Sequence, residues 1–161
     1  MNAYLASVIA VAGTLLGSSL TYVFQVRQSR QAEDRARVRQ AREERLAAYS
    51  EFLAAATDFR RAALTHSYRK LAKSPDDDAY RAARADADRL QALVLLAIAR
   101  IQLLSTDAKL VAVAEDVRDL VNDIRKATTK EERESLQERS KEGLAEFVTR
   151  AAGHLSLEPG R

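Results

Sequence analysis

The chain has 161 residues, 47% hydrophobic and 30% charged, with no Cys, no Trp and a formal net charge of +3. That composition excludes a disulfide scaffold, a thiolate metal site, a collagen-like repeat and a disordered polyampholyte. The small net charge conceals a partition: residues 1–26 hold no charged side chain, so all 26 Lys+Arg and 23 Asp+Glu follow them.

The opening stretch from Ala3 to Val26 reads as a membrane-spanning helix. A span needs about 20 predominantly apolar residues, and the hydroxyls of Ser7, Thr14, Ser18, Ser19 and Thr21 can return to helix carbonyls. A cleaved signal would want basic residues ahead of a shorter apolar run and an Ala-x-Ala-like exit. Here only Met1 and Asn2 precede the run, and Tyr22, Val23 and Phe24 lead straight to Arg27. A buried core helix of a water-soluble fold is the third reading, and the unbroken lack of charge weighs against it. Lys/Arg asymmetry sets orientation. Arg27, Arg30, Arg35, Arg37, Arg39, Arg42 and Arg45 all follow the run, so the expectation is a single-pass plasma-membrane protein with its N-terminus outside and its C-terminal domain in the cytoplasm.

Within this segment Ala3, Ala6, Ala10, Gly13 and Gly17 recur at alternating spacings of three and four, with Gly13 and Gly17 as a GxxxG pair. Small residues on one face let helix backbones approach closely in lipid, which nominates Ala6, Ala10, Gly13 and Gly17 for self-association. Residues 27–45 form an Arg-rich stalk, with seven Arg against Glu33, Asp34, Glu43 and Glu44. Arg27, Arg30, Arg35 and Arg37 are placed to meet anionic lipid or phosphate. Topology alone also explains these positive flanks, and the interspersed acids argue against nucleic acid as the main partner. Ala32, Ala36, Arg39 and Glu43 lack the large apolar residues that a coiled-coil seam needs.

The remainder reads as helices. No alternating run of β-branched residues suggests a strand, and Pro75 is the only Pro before Pro159. The first helix continues to about Lys73, with an apolar stripe at Tyr49, Phe52, Ala56, Phe59 and Ala63 and Leu46, Leu53 and Leu64 beside it. Ser74-Pro75 followed by Asp76, Asp77 and Asp78 signals the next start through a cap, a first-turn Pro and acids at the positive helix end. The second helix runs to about Leu104, carrying Tyr80, Ala83, Ala87, Leu90, Val94, Ala97, Ile101 and Leu104. Its second half, LQALVLLAIARIQLL, is apolar nearly all round, which predicts the central, most buried helix; with Arg100 and Gln102 inside, it is too short and polar to be a second span.

Ser105, Thr106 and Asp107 break the chain before a third helix with Leu110, Val113, Val117, Leu120 and Ile124. Thr129 and Glu132 have capping-box spacing and open a fourth, with contacts from Leu136, Leu144, Phe147, Val148 and Ala151. Gly153 sits where a C-terminal cap is expected, with a loose tail over 156–161. Short connections imply antiparallel neighbours. The predicted architecture is all-α: a transmembrane helix (1–26) continuing into a stalk (27–45) and a cytoplasmic antiparallel bundle of three to four helices (46–155).

Chemistry has few candidates. No GxxxxGK[ST], GxGxxG, GxSxG or HExxH occurs, and neither His66 nor His154 has the Glu three residues earlier that a di-iron bundle uses. His66 reads as a bundle-edge residue and His154 as a helix-terminal one. No catalytic residue, metal ligand or cofactor is assigned, and the chain is expected not to be an enzyme.

The opening GTLLGSSLTYVFQ, its passage into an Arg/Gln/Glu-rich stretch and the following RLAAYSEFL resemble uncharacterised small single-span helical membrane proteins of actinobacterial type, over about the first third of the chain. That resemblance implies no active site. The functional expectation is a membrane-anchored, non-enzymatic scaffold or adaptor whose bundle binds itself or another protein, with the lipid bilayer as its other partner. The alternative is a membrane-tethered nucleic-acid-binding module using the Arg stalk.

Overall fold

A computed structural model describes the backbone over residues 2–72 and 77–156, and the side chains of 33, 35–72 and 78–156. Among the described residues there are four helices and no strand: α1 (Asn2–Lys70), α2 (Asp77–Leu104), α3 (Ala108–Lys126) and α4 (Lys130–Ser156). The chain divides into two units, Met1–Gln40 and Ala41–Pro159. In the first, the described side chains are exposed, including Arg35 and Arg37.

The second unit is a four-helix bundle, which resolves the choice between three and four packed helices. From Ala41 onward α1 buries Ala48, Tyr49, Phe52, Ala56, Phe59, Ala62 and Ala63, a stripe at three- and four-residue spacing. On α3 Leu110, Ala114, Val117, Val121 and Ile124 are fully buried, one residue per turn along a single face. α4 contributes Leu136, Ser140, Phe147 and Ala151. Side-chain partners give the direction of each helix. Glu51 near the start of this part of α1 pairs with Arg100 near the end of α2, and the His66 ring lies 5.1 Å from that of Tyr80 near the start of α2. Gln102 bonds Glu115 while Gln91 bonds Arg125, so α2 and α3 are antiparallel. Tyr49 meets Phe147, and the Arg133 guanidinium lies 3.9 Å over the Tyr68 ring, so α1 and α4 are antiparallel as well. The order is up-down-up-down, as short connections require.

Aromatic packing closes one end of this core. The Phe52 and Phe147 rings are 4.5 Å apart, and Tyr49 meets Phe147 edge-on at 6.0 Å; such pairs contribute about 0.5–1.5 kcal/mol beyond their buried area. Tyr49 also places its hydroxyl 3.0 Å from Nδ1 of His154, so His154 ties the end of α4 to α1.

Local signals explain the helix starts. Asp107 caps α3, its carboxylate accepting from the N–H groups of Lys109 and Leu110 at 2.9 and 3.2 Å. At α4 the Thr129 hydroxyl accepts from the Glu132 N–H at 3.2 Å, as the capping-box spacing predicts, but the Glu132 carboxylate returns to the Thr128 N–H at 2.8 Å. That backbone bond is the main reason the Glu132 carboxyl is held below the usual carboxylate range. The Ser74-Pro75 start signal lies outside the described residues.

Four expectations are corrected. First, among the described residues no helix is long and apolar enough to cross a membrane, which overturns the single-pass, N-terminus-outside placement; α2, the most apolar described helix, is interrupted by Arg100 and Gln102. The side chains of 1–26, including Ala6, Ala10, Gly13 and Gly17, lie outside the described residues, as do Arg27 and Arg30. Second, α2 is not a central buried helix, because a four-helix bundle has no centre for a helix to occupy and buries one stripe of each. Third, α4 passes through Gly153 to Ser156 without any positive-φ residue, so Gly153 is not a cap. Fourth, His66 is 6% exposed, so it is packed into the bundle and not a solvated edge residue, although it borders a surface depression.

Candidate docking face

The surplus apolarity of α2 forms a second stripe opposite the first. Leu90, Val94, Ala97, Ile98 and Ile101 face the core. About half a turn away, Ala92, Leu96, Ala99 and Leu103 lie at spacings of four, three and four on the solvent side. Leu96 is 63% exposed and Leu103 86%, with Leu93 and Leu95 about half exposed on either side. An isolated exposed Leu has no special meaning, but a contiguous apolar stripe marks a contact surface.

No charge interrupts the stripe, and the charged residues bordering it are held by their own chain. Arg89 bonds Asp86 at 2.9 Å, Arg100 reaches Glu51 on α1, and Asp88 receives Arg125 from α3. A partner therefore covers leucine and alanine without first stripping an unpaired ion of water, the costly step in burying charge.

The stripe alternates small and large: Ala92, Leu96, Ala99, Leu103. When a second α2 is laid antiparallel about a two-fold axis between residues 97 and 98, Leu103 opposes Ala92 and Leu96 opposes Ala99. Every large side chain then meets a small one, and the same surface serves both copies, as a two-fold contact requires.

Sequence reasoning missed this face because it read all-round apolarity as burial on every side. The signal that could have found it is the pair of stripes half a turn apart: neighbours in a bundle cover only one. The expected contact residues lie elsewhere. Arg35 and Arg37 are exposed side chains of the first unit. Among the described residues no group of three or more His, Asp or Glu is placed to hold a metal ion.

Fold and face together define an all-α bundle with an exposed apolar helix surface. The sequence pattern of the KilB plasmid transfer protein family matches residues 46–155, more than half of the chain, and the protein belongs to that family. This replaces the resemblance to single-span membrane proteins, which rested on the first third of the chain; the family's pattern rests on the helical bundle. No curated protein and no solved structure matches the chain.

Proposed function

We propose that this protein is a non-enzymatic helical scaffold in plasmid transfer, and that it self-associates through the outer face of α2. The observation that carries the reading is the uncharged, alternately small and large stripe of Ala92, Leu96, Ala99 and Leu103 on an exposed helix surface. Membership of a plasmid transfer family supports the process, and the stripe supports the kind of contact.

Burying the exposed parts of Leu96 and Leu103, 63% and 86% of each residue, contributes about 3 kcal/mol per protomer and about 6 kcal/mol per dimer at about 2 kcal/mol per fully buried Leu. Loss of rigid-body freedom opposes association by about 4 kcal/mol or more. The surplus, with Leu93 and Leu95 adding area, corresponds to a reversible dimer that responds to protein concentration.

That surplus, at most about 6 kcal/mol, places Kd at about 0.1 mM or weaker, so sedimentation of the full chain from about 10 μM to about 1 mM is expected to show a monomer–dimer equilibrium. The Leu96→Asp/Leu103→Asp variant is expected to stay monomeric with unchanged helical content, since both side chains are already in water in the monomer. A wild-type chain that remains monomeric throughout, or a variant that dimerises equally well, refutes the reading.

A further inference from the structure

A second feature sits at the opposite end of the bundle, where α1 and α3 finish and α2 begins. There His66 and Lys70 from α1, Arg84 from α2, and Asn122, Arg125 and Lys126 from α3 line an open depression of about 330 Å³. Tyr80 forms its remaining wall, its ring 5.1 Å from that of His66. Four cationic side chains therefore converge on a concavity that a small ligand can enter.

Part of this charge has a structural explanation. Lys70 and Lys126 lie in the last turns of α1 and α3, where cations stabilise the negative helix ends, and the Lys70 ammonium donates to the Lys126 carbonyl at 3.0 Å. Lys126 also pairs with Asp123 at 2.8 Å. Arg125 shares the last turn of α3 with Lys126, so helix-end electrostatics leaves only Arg84 and His66 unexplained. Arg84 lies well inside α2, and its nearest acid, Asp88, is 4.0 Å away. Arg125 uses its two terminal nitrogens on Gln91 and Asp88, while its buried Nε has no hydrogen-bond partner. His66, 6% exposed, has a buried Nδ1 that is equally unpartnered. Buried nitrogens are ordinarily satisfied; these two belong to side chains that line the depression, and each side chain would have to turn before its nitrogen met a group from outside the chain.

We propose that this depression binds a phosphate group, with Arg84, Arg125 and Lys70 supplying charge-assisted donors and the Asn122 amide and the His66 imidazole completing the shell. A phosphate oxygen set matches these donors in number and in charge, and guanidinium groups suit its geometry. Asp88, which occupies part of Arg125 and lies 4.0 Å from Arg84, and Asp123, which pairs with Lys126, limit affinity. Burial, and then the nearby Arg125, Lys70 and Arg84, lower the His66 pKa, with only Asp88 acting the other way. Four cations against the neighbouring Asp88 and Asp123 leave the rim with a net positive charge.

The site is independent of the α2 docking stripe, and its test is separate. Full-length protein is titrated with inorganic phosphate and, in parallel, with a nucleoside 5′-monophosphate, at constant ionic strength and pH 7. The His66 ring resonance and isothermal calorimetry serve as readouts. Saturable binding with a shift of the His66 resonance is expected. Arg84→Gln, at an exposed position, should weaken it about tenfold, equivalent to about 1.4 kcal/mol. Asp88→Asn should tighten it, whereas Lys141→Gln, which removes the same charge from an exposed position on α4, should leave it unchanged. If inorganic phosphate binds as tightly as the nucleotide, the free anion is the ligand; if the nucleotide binds more tightly, a phosphomonoester is. Absence of saturable binding by either, or equal weakening by Arg84→Gln and Lys141→Gln, overturns the proposal.

Discussion

Gly143 on α4 lies directly against α3, and replacing it with Ala sets two effects of opposite sign against each other. A Cβ built there would lie 2.9 Å from Val117 Cγ2 and 4.0 Å from Leu120 Cδ1. In a helix interior Gly→Ala alone stabilises by about 1 kcal/mol. Carbon atoms pack best at about 3.5–4.0 Å, so the Val117 contact must open by about 0.6–1 Å. Val117 is fully buried and, being β-branched, has one strongly preferred helical rotamer. Its methyl cannot swing aside, and α3 or α4 has to move. Overpacking of this kind costs about 1–3 kcal/mol, so Gly143→Ala is expected to be neutral to destabilising by about 2 kcal/mol. Val117→Ala alone should cost about 2–3 kcal/mol through lost burial and the cavity left behind. In the double variant the new methyl fills part of that cavity, so the two changes should couple favourably by about 1–2 kcal/mol. Urea unfolding of the full chain and the three variants closes the cycle. Stabilisation by Gly143→Ala at full helix-propensity value, or strict additivity in the cycle, would show that the helices do not meet there.

Asp107→Ala removes both capping bonds to Lys109 and Leu110 and should destabilise the bundle by about 1 kcal/mol, read as a lower urea midpoint; Asp107→Asn should recover most of the loss. Because burial and the surrounding Arg125, Lys70 and Arg84 lower the His66 pKa, the folded chain binds fewer protons at that site than the unfolded chain does. The stability linked to His66 is therefore fully present above about pH 6.5, the ordinary imidazole value, and is lost as pH falls through the folded pKa. His66→Gln should flatten the decline between pH 7 and pH 5 in unfolding experiments, and an unchanged decline would place its origin elsewhere.

Much of the bundle was legible along the chain. Tyr49, Phe52, Ala56, Phe59 and Ala63 repeat at helical spacing, and the same stripe is buried on α1. Asp107 and the Thr129–Glu132 pair mark helix starts because capping is local: it requires only residues two to four positions apart. Element type, the breaks between helices and most inward-facing residues were readable for that reason, since periodicity is set by backbone geometry.

Three things were decided only by tertiary structure. Solvent exposure of Leu96 and Leu103 depends on how many neighbours surround α2, a number that periodicity within α2 does not contain. The His66, Arg84 and Arg125 cluster joins residues from three helices whose relative register is set by packing, so its charge was invisible in any local window. Gly153 carried the composition of a helix end, yet the chain continues as helix to Ser156. Short-range order comes from the chain's own covalent and hydrogen-bonding geometry. Whether an apolar residue faces core or solvent, and which distant charges share one concavity, is settled by the arrangement of helices that buries the most apolar surface together.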